Sequence, residues 1–406
     1  MSYKQMKRIF HEDSSSSRYA SNSEEALRRI NDVSSTKTGI YLKTGELFFT
    51  APPELTTLLE RVLRLERKIT QLWKALPLVA KKSYVLDLII QEIYFTNEIE
   101  GIRSTRKQIK EALYSVEASP KDDSQKRFRE FARLYLGITK DEISFPATPR
   151  DIRKIYDVVL EGEIESSNEL DGELFRTQGV DVRAGHRIVH EGVTPEEKII
   201  EMLQQMIDFV EREDIPAVFS SLLSHFVFEY IHPFYDGNGR MGRFLLALYL
   251  SRPLSIPTVL LLSSAISDGL PIYYRAFEDT EDSLNHAEGT HFLIEMMRLI
   301  RTAQEDMIME LESRRAMLDA GTDAIGQFGL DCKTKEAILY ILLQAKLFDI
   351  NRSYELGQIA EHLGKSKATA RKYLGELESE NYVEFVSLRP LRARLTDDSF
   401  ARLDIR

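Results

Sequence analysis

From Pro53 onward, apolar residues recur at three- and four-residue spacing, as amphipathic helices require. LTTLLERVLRLERKITQLWKAL predicts one helix, and KKSYVLDLIIQEIYFTNE a second that ends near Glu100-Gly101. Ser104 or Thr105 suits the cap of a third, RKQIKEALYSVE. Thr148-Pro149 and Thr194-Pro195 each put a cap residue before a proline that fits the first helical turn. Thr194 and Glu197 also have capping-box spacing. Further helices are expected over 216–231, 240–251 and about 290–317. No internal repeat is visible.

Alternation of period two is rarer. GELFFT (45–50) reads as a short strand. VDVR, then Ala184-Gly185, then HRIVH reads as a β-hairpin. Residues 11–40 are rich in Ser, Asn and charge, and partial disorder is expected there. GTDAIGQFGLDCK (321–333) reads as a linker. Beyond it come three short helical patterns: TKEAILYILLQA, SYELGQIAEHLG closing at Gly364, and SKATARKYLGELESENYV opened by Ser366 or Lys365. EFVSLRPLRARLTD then predicts two strands around a proline turn, completing a winged helix-turn-helix pattern. The class is mainly α. The expected division is an N-terminal segment 1–50, a helical region 51–140, a helical core 141–320 and a winged helix domain 333–406.

Composition narrows the function classes. The chain has 406 residues, 43% of them hydrophobic, and a net charge of −10. That length suits two or more domains, and that charge argues against a surface built wholly for nucleic acid or anionic membrane. The single cysteine, Cys332, excludes a disulfide framework or a cysteine zinc site within one chain. The N-terminus lacks an apolar signal core, and Arg252, Pro253 and Pro257 break the longest apolar region. A soluble, cytoplasmic chain with no membrane association is the expectation. Residues 333–406 carry 13 Lys and Arg against 11 Asp and Glu, a net +2, while the remainder carries −12. The third helix, 365–378, opens with Lys365, Lys367, Arg371 and Lys372, and the wing adds Arg389, Arg392 and Arg394. Helix and wing together are how such modules meet DNA phosphates. A protein-docking module and an ordinary solvated face remain the alternatives.

The chemistry concentrates in IHPFYDGNGRMGR, from Ile231 to Arg243. A glycine-rich loop opens a helix there, which makes an anion-binding concavity. Arg240 and Arg243, three apart on that helix, oppose its dipole unless an anion sits over its start. A nucleoside triphosphate would fit. Asp236 is then placed to hold a Mg²⁺ that bridges phosphate oxygens, and His232 is a base at the edge of the phosphate site. The plain alternative is a helix-end histidine followed by a common turn.

HPFYDGNGRMGR resembles the signature of the Fic family of protein adenylyltransferases, His-x-Phe-x-Asp/Glu-Gly-Asn-Gly-Arg-x-x-Arg, with every defined position filled. SHFVFEYIHPF is similar to the helix that precedes it in the family, the 180–190 hairpin to the family's flap, and YYRAFEDTEDSLNHAEGTHFLIEMM to its C-terminal helices. TNEIEG (96–101) resembles the inhibitory motif Ser/Thr-x-x-x-Glu-Gly/Asn. The likeness covers roughly residues 50 to 310. It implies a Fic-type helical core with a β-hairpin flap, and AMP transfer from ATP to a Ser, Thr or Tyr hydroxyl of a target protein or of the chain itself. It casts His232 as general base and Phe234 as the loop's buried anchor. Asp236 would bind Mg²⁺; Gly237, Asn238 and Gly239 would form the anion hole; Arg240 would meet the phosphate chain and Arg243 the γ-phosphate. Tyr273 and Tyr274 would line the adenine side. His186, Arg187, Ile188, Val189 and His190 would pair with the target, and Glu100 would inhibit by occupying Arg243. Gly239 and Arg243 favour adenylylation over phosphate transfer. Two other readings stay open: a DNA-binding regulator with a Fic-type nucleotide site, and removal of AMP with Glu100 orienting water. The target and the oligomeric state, a homodimer included, are also open.

Overall fold

A computed structural model of the chain describes residues 3–118, 127–184 and 187–403. It opens with α1 (Met6–Glu12), α2 (Arg18–Ile30) and the hairpin β1 (Ser35–Leu42) and β2 (Gly45–Thr50). Two long helices follow, α3 (Pro53–Ala75) and α4 (Leu78–Ile99), then α5 (Arg106–Ala118), α6 (Arg129–Thr139) and α7 (Pro149–Val159). A second hairpin, β3 (Asp181–Ala184) and β4 (Arg187–Glu191), precedes α8 (Glu196–Val210), α9 (Ala217–Ile231) and α10 (Asn238–Leu250). The short α11 (Ile256–Val259) and α12 (Leu262–Asp268) lead to α13 (Leu270–Glu281) and α14 (Thr290–Gln327). The C-terminal elements are α15 (Lys333–Phe348), β5 (Tyr354–Glu355), α16 (Leu356–Leu363), α17 (Lys367–Ser379), β6 (Val383–Leu388), β7 (Leu391–Leu395) and α18 (Asp397–Arg402).

The chain divides into two compact units, Met1–Glu66 with Ile89–Gln304 and Arg67–Leu88 with Glu305–Arg406. In the first, α9 is the buried axis. Its sequence AVFSSLLSHFVFEYI is apolar on nearly every side, so it is stable only when surrounded. α8 and α10 pack against it. Thr148 caps α7 in a reciprocal box with Asp151, and Thr105, not Ser104, caps α5 through the Gln108 N–H at 3.2 Å. The box expected at Thr194 does not form. Pro195 is the N-cap of α8 and makes no side-chain cap bond, which leaves Thr194 one position out of register. Glu196 instead accepts the N–H groups of Glu173, Leu174 and Phe175 at 3.0, 2.7 and 2.8 Å.

Two stretches differ from the sequence pattern. Residues 11–40, expected to be partly disordered, carry the end of α1, all of α2 and most of β1. The reason is a buried charge: Arg29 bonds Glu25 and Glu288, each at 2.8 Å, so a polar segment is pinned by pairing that composition does not reveal. The expected linker at 321–333 is helical as far as Gln327. Buried Leu318 and Ile325 continue the apolar face of α14 past Gly321, and the Thr322 hydroxyl donates to the Leu318 carbonyl at 2.6 Å.

In the second unit, α15, α16 and α17 stand with an antiparallel sheet of order β5-β7-β6. Gly364 closes α16 at φ 60°, and the Ser366 hydroxyl caps α17 through the Thr369 N–H at 3.1 Å. Buried Lys335 ties α15 to α17 through Glu376 and Glu380 at 3.2 and 2.8 Å. Residues 67–88 belong to this unit too: the Ala80 N–H donates to Gln344 Oε1 at 3.2 Å, and the Arg314 guanidinium lies 4.6 Å from the Tyr84 ring centre. The architecture is mainly α, with three small antiparallel sheets among the described residues. Among those residues no single helix is long and apolar enough to cross a membrane.

Candidate active site

His232 ends α9 in the left-handed region, φ 51°, with its N–H still bonded to the Phe228 carbonyl at 3.0 Å. That backbone turns the imidazole out of the helix axis. Its Nδ1 is sealed from solvent and has no hydrogen-bond partner. Burial, helped by His190 nearby, lowers its pKa to about 4, so the ring is neutral at physiological pH.

The turn after His232 is held from inside. Phe234 is fully buried and stacks on Tyr156 with ring centres 3.5 Å apart. The Asn238 amide grips the Phe234 backbone twice: its Oδ1 accepts the N–H at 2.9 Å and its Nδ2 donates to the carbonyl at 2.8 Å. Asn238 therefore shapes the anion turn with its side chain, which leaves only its backbone to face a ligand. Gly237 has φ 79°, and a Cβ there would stand 2.1 Å from Leu160 Cδ1, so glycine is required on both counts. Asp236 is exposed, and its Oδ1 accepts the Gly237 N–H at 2.6 Å.

Both arginines of α10 are buried and paired within the chain. Arg240 Nη1 donates to Glu163 at 2.9 Å. Arg243 Nε donates to the Thr96 hydroxyl at 2.7 Å, and Nη2 donates to the Thr96 carbonyl at 3.1 Å and to Glu100 Oε1 at 2.7 Å. The helix-dipole misfit is thus relieved by internal carboxylates. Burial would lower the Arg243 pKa, but Glu100 beside it reverses the direction and raises it. Glu100 also lies over the start of α10, since a Cβ on Gly239 would stand 2.1 Å from its Oε1. Local geometry explains its placement. α4 ends in a Schellman motif, with Ile102 N–H to Asn97 O at 2.9 Å, Gly101 N–H to Glu98 O at 3.0 Å, and Gly101 at φ 68°.

A cavity of about 380 Å³ joins these groups. Glu100, His232, Gly239 and Arg243 line it together with Glu229, Tyr273 and Tyr274. Tyr273 is buried and its hydroxyl donates to His225 Nε2 at 2.8 Å, while Tyr274 is 47% exposed. Val182 and Val189 of the hairpin add an apolar wall. The hairpin is antiparallel with Val182 opposite His190. Ile188 is exposed. His190 does not present its ring for docking: Nδ1 meets Glu281 and Nε2 the Tyr230 carbonyl, both at 2.7 Å. His186 and the Arg187 side chain lie outside the described residues.

In the second unit Lys365, Lys367, Arg371, Lys372 and Arg389 are exposed. Arg392 and Arg394 are paired with neighbouring strands. Arg392 bonds Glu355 at 2.9 Å and the Ser353 carbonyl at 2.9 Å, and the Arg394 Nε bonds Glu384 at 2.5 Å, with 40% of the Arg394 side chain still exposed.

Four residues of the site received no role from the sequence pattern, although Thr96 opens the TNEIEG motif. Thr96 positions Arg243, Glu163 pairs Arg240, and Glu229 lines the cavity. The fourth, Arg176, is fully buried and donates to the carbonyls of Gln178, Val193, Ile231 and His232 at 2.6, 2.9, 3.2 and 2.8 Å. An unpaired arginine just before a hairpin was the available hint.

A neutral histidine, a glycine-opened helix and a buried arginine thus line one cavity, an arrangement that can receive an anion. The chain carries a Fic/DOC family domain: residues 146–250 match that family's model, and residues 351–387 match the IclR helix-turn-helix domain. Among solved structures it is similar to a Fic family protein from Desulfovibrio desulfuricans G20, at 19% identity over 86% of this chain and 98% of that one, TM-score 0.49. It is also similar to a Fic domain containing signaling protein from Bacteroides thetaiotaomicron VPI-5482, at 17% identity, 62% and 95% coverage and TM-score 0.44. Fic-1 (residues 134–508) from C. elegans matches at 18% identity, 64% and 75% coverage and TM-score 0.40.

Proposed function

We propose that the protein transfers AMP from ATP to a hydroxyl of a Ser, Thr or Tyr, on a target protein or on itself, and that Glu100 holds this activity off. The observation that carries the reading is the Arg243–Glu100 contact at 2.7 Å, made within the same cavity as His232. His232, neutral and with a free Nδ1, takes the proton of the incoming hydroxyl. The hydroxyl oxygen bonds to the α-phosphorus, the bond from that phosphorus to the bridging oxygen breaks, and pyrophosphate leaves. The phosphates' charge raises the imidazole's basicity as they arrive. Gly237, Asn238, Gly239 and Arg240 supply the anion turn, and Arg243 takes the γ-phosphate once Glu100 is displaced. Such a reaction needs mainly positioning and charge neutralisation.

Magnesium fits this site only as a companion of the nucleotide. Among the described residues no group of three or more His, Cys, Asp or Glu could hold an ion, and Asp236 offers one exposed carboxylate. One carboxylate plus substrate phosphates is a common way to bind Mg²⁺. Tyr274 borders the nucleoside end, and the hairpin backbone pairs with an extended target segment.

A second reading concerns the C-terminal module. Lys365, Lys367, Arg371 and Lys372 are exposed at and before the start of α17, within the span matched to the helix-turn-helix model. This favours DNA as a second partner. To test the first reading, full-length wild type and Glu100→Gly are incubated with ATP labelled at the α- or the γ-phosphate. Label entering protein from the α position alone supports AMP transfer; label from the γ position replaces it with phosphate transfer.

A further inference from the structure

Glu229 has no role in the chemistry above. It sits on α9, three residues before His232, and lines the cavity shared by Arg243, Glu100, Tyr273 and Tyr274. Its Oε1 is sealed from solvent and has no hydrogen-bond partner. Gly242 makes room for it: a Cβ there would stand 2.0 Å from that oxygen. Of the cavity's carboxylates, Glu100 and Glu229 both act on Arg243, and only Glu100 is bonded to it.

We propose that Glu229 is an alkaline gate on the nucleotide site: only its protonated form leaves Arg243 to the γ-phosphate, so nucleotide binding takes up a proton there. The proposal rests on the nucleotide reading given above. Its electrostatics are simple. An ionised Glu229 beside Arg243 would compete for the guanidinium and repel the phosphate, in a cavity where water screens poorly. Desolvation pushes the pKa of Glu229 up to about 8; Arg243 opposes this and Glu100 adds to it. A γ-phosphate in place of Glu100 brings more negative charge and raises it further. The two states thus bind different numbers of protons, and affinity must vary with pH.

The same cavity also brings Glu100, Arg243, His190, Glu278 and Glu281 together with Glu229. Tyr273 and Tyr274 of α13 are raised above the usual phenol range, by burial first. On α9 itself, His232 is already neutral, and burial lowers His225 to about 3. From α4, Glu92 also acts on Arg243, but burial holds it near 7, and the pH 8 side of the profile lies beyond it.

The test measures Mg-ATP affinity by titration calorimetry on the full chain carrying Glu100→Gly, from pH 6.5 to 9.5 at saturating Mg²⁺. The Kd is expected to rise by up to tenfold per pH unit between the free and bound pKa of Glu229. Near pH 8, buffers of different ionisation heat should reveal uptake approaching one proton. Adding Glu229→Gln, an isosteric permanently neutral side chain, should flatten the profile and abolish the uptake. A flat Kd without proton uptake in the parent, or an unchanged slope in the Gln variant, overturns the gate alone. Absence of Mg-ATP binding at every pH overturns the nucleotide reading and the gate with it.

Discussion

Replacing Glu100 with glycine is the perturbation with the clearest expected size. It removes one charge-assisted hydrogen bond to Arg243, at 2.7 Å. Loss of such a bond costs about 1.5–3 kcal/mol. The arginine side chain is buried but that of Glu100 is 31% exposed, so solvent screens part of the interaction and the lower half of that range applies. About 2 kcal/mol corresponds to roughly a 30-fold shift toward the state in which Arg243 is available. The two bonds from Thr96 survive the change and keep the guanidinium oriented. AMP incorporation, self-modification included, should therefore rise about 30-fold in Glu100→Gly. Glu100→Gln, which keeps the shape and loses the charge, should fall between. Arg243→Ala added to Glu100→Gly should remove the gain, because both effects pass through one side chain. The assay is the initial rate of labelled AMP incorporation for wild type, both single variants and the double variant. Equal rates for wild type and Glu100→Gly would refute inhibition by this contact. A gain that persists without Arg243 would refute the route assigned to it.

His232→Ala should abolish AMP transfer while Mg-ATP still binds in a calorimeter. Because the free imidazole is depressed to about 4, kcat/KM should stay level from pH 7 down to 5.5, where an ordinary histidine would lose about tenfold. An acid limb near pH 6.5 would remove His232 from the role of base. Asp236→Ala should weaken ATP binding in Mg²⁺ and leave Mg²⁺-free binding unchanged, as titrating the metal will show. Arg176→Ala removes the donor from four carbonyls, one in a buried bond and three part-buried, and urea unfolding should show a loss of about 3 kcal/mol. If the second unit binds DNA, affinity should fall steeply with salt, and Lys367→Ala with Arg371→Ala should shallow that slope; no gel shift at low salt leaves protein docking as its role.

The turn after His232 was legible because its geometry is local. His232, Gly237, Asn238, Gly239 and Arg243 act within one turn and one helix start, so spacing alone places them. Glu100 was legible through the resemblance of TNEIEG to an inhibitory motif, with Gly101 suiting the helix end. The partners that complete the site were not. Thr96 opens the quoted motif, but its contact with Arg243, like that of Glu163 in the turn after α7 with Arg240, forms only after segments distant in sequence have packed. For the same reason the charge of the arginines pointed to an external anion when internal carboxylates satisfy it. In the wing, the sequence does not show that Arg392 and Arg394 pair with Glu355 and Glu384 of the neighbouring strands. Residues 11–40 have the composition of a flexible tail, but Arg29 and Glu288 give them an anchor that lies 259 positions away.

Arg176 has a consequence for how such a molecule can diversify. Its guanidinium takes carbonyls from Gln178, before the β3–β4 hairpin, and Val193, after it, as well as from Ile231 and His232. Both feet of the hairpin and the turn at His232 are riveted to one side chain through backbone carbonyls, so that clamp does not depend on the hairpin's own sequence. The hairpin keeps one side-chain tie of its own, from His190 to Glu281 and the Tyr230 carbonyl. Its other positions can vary without loosening the clamp that fixes where the imidazole stands.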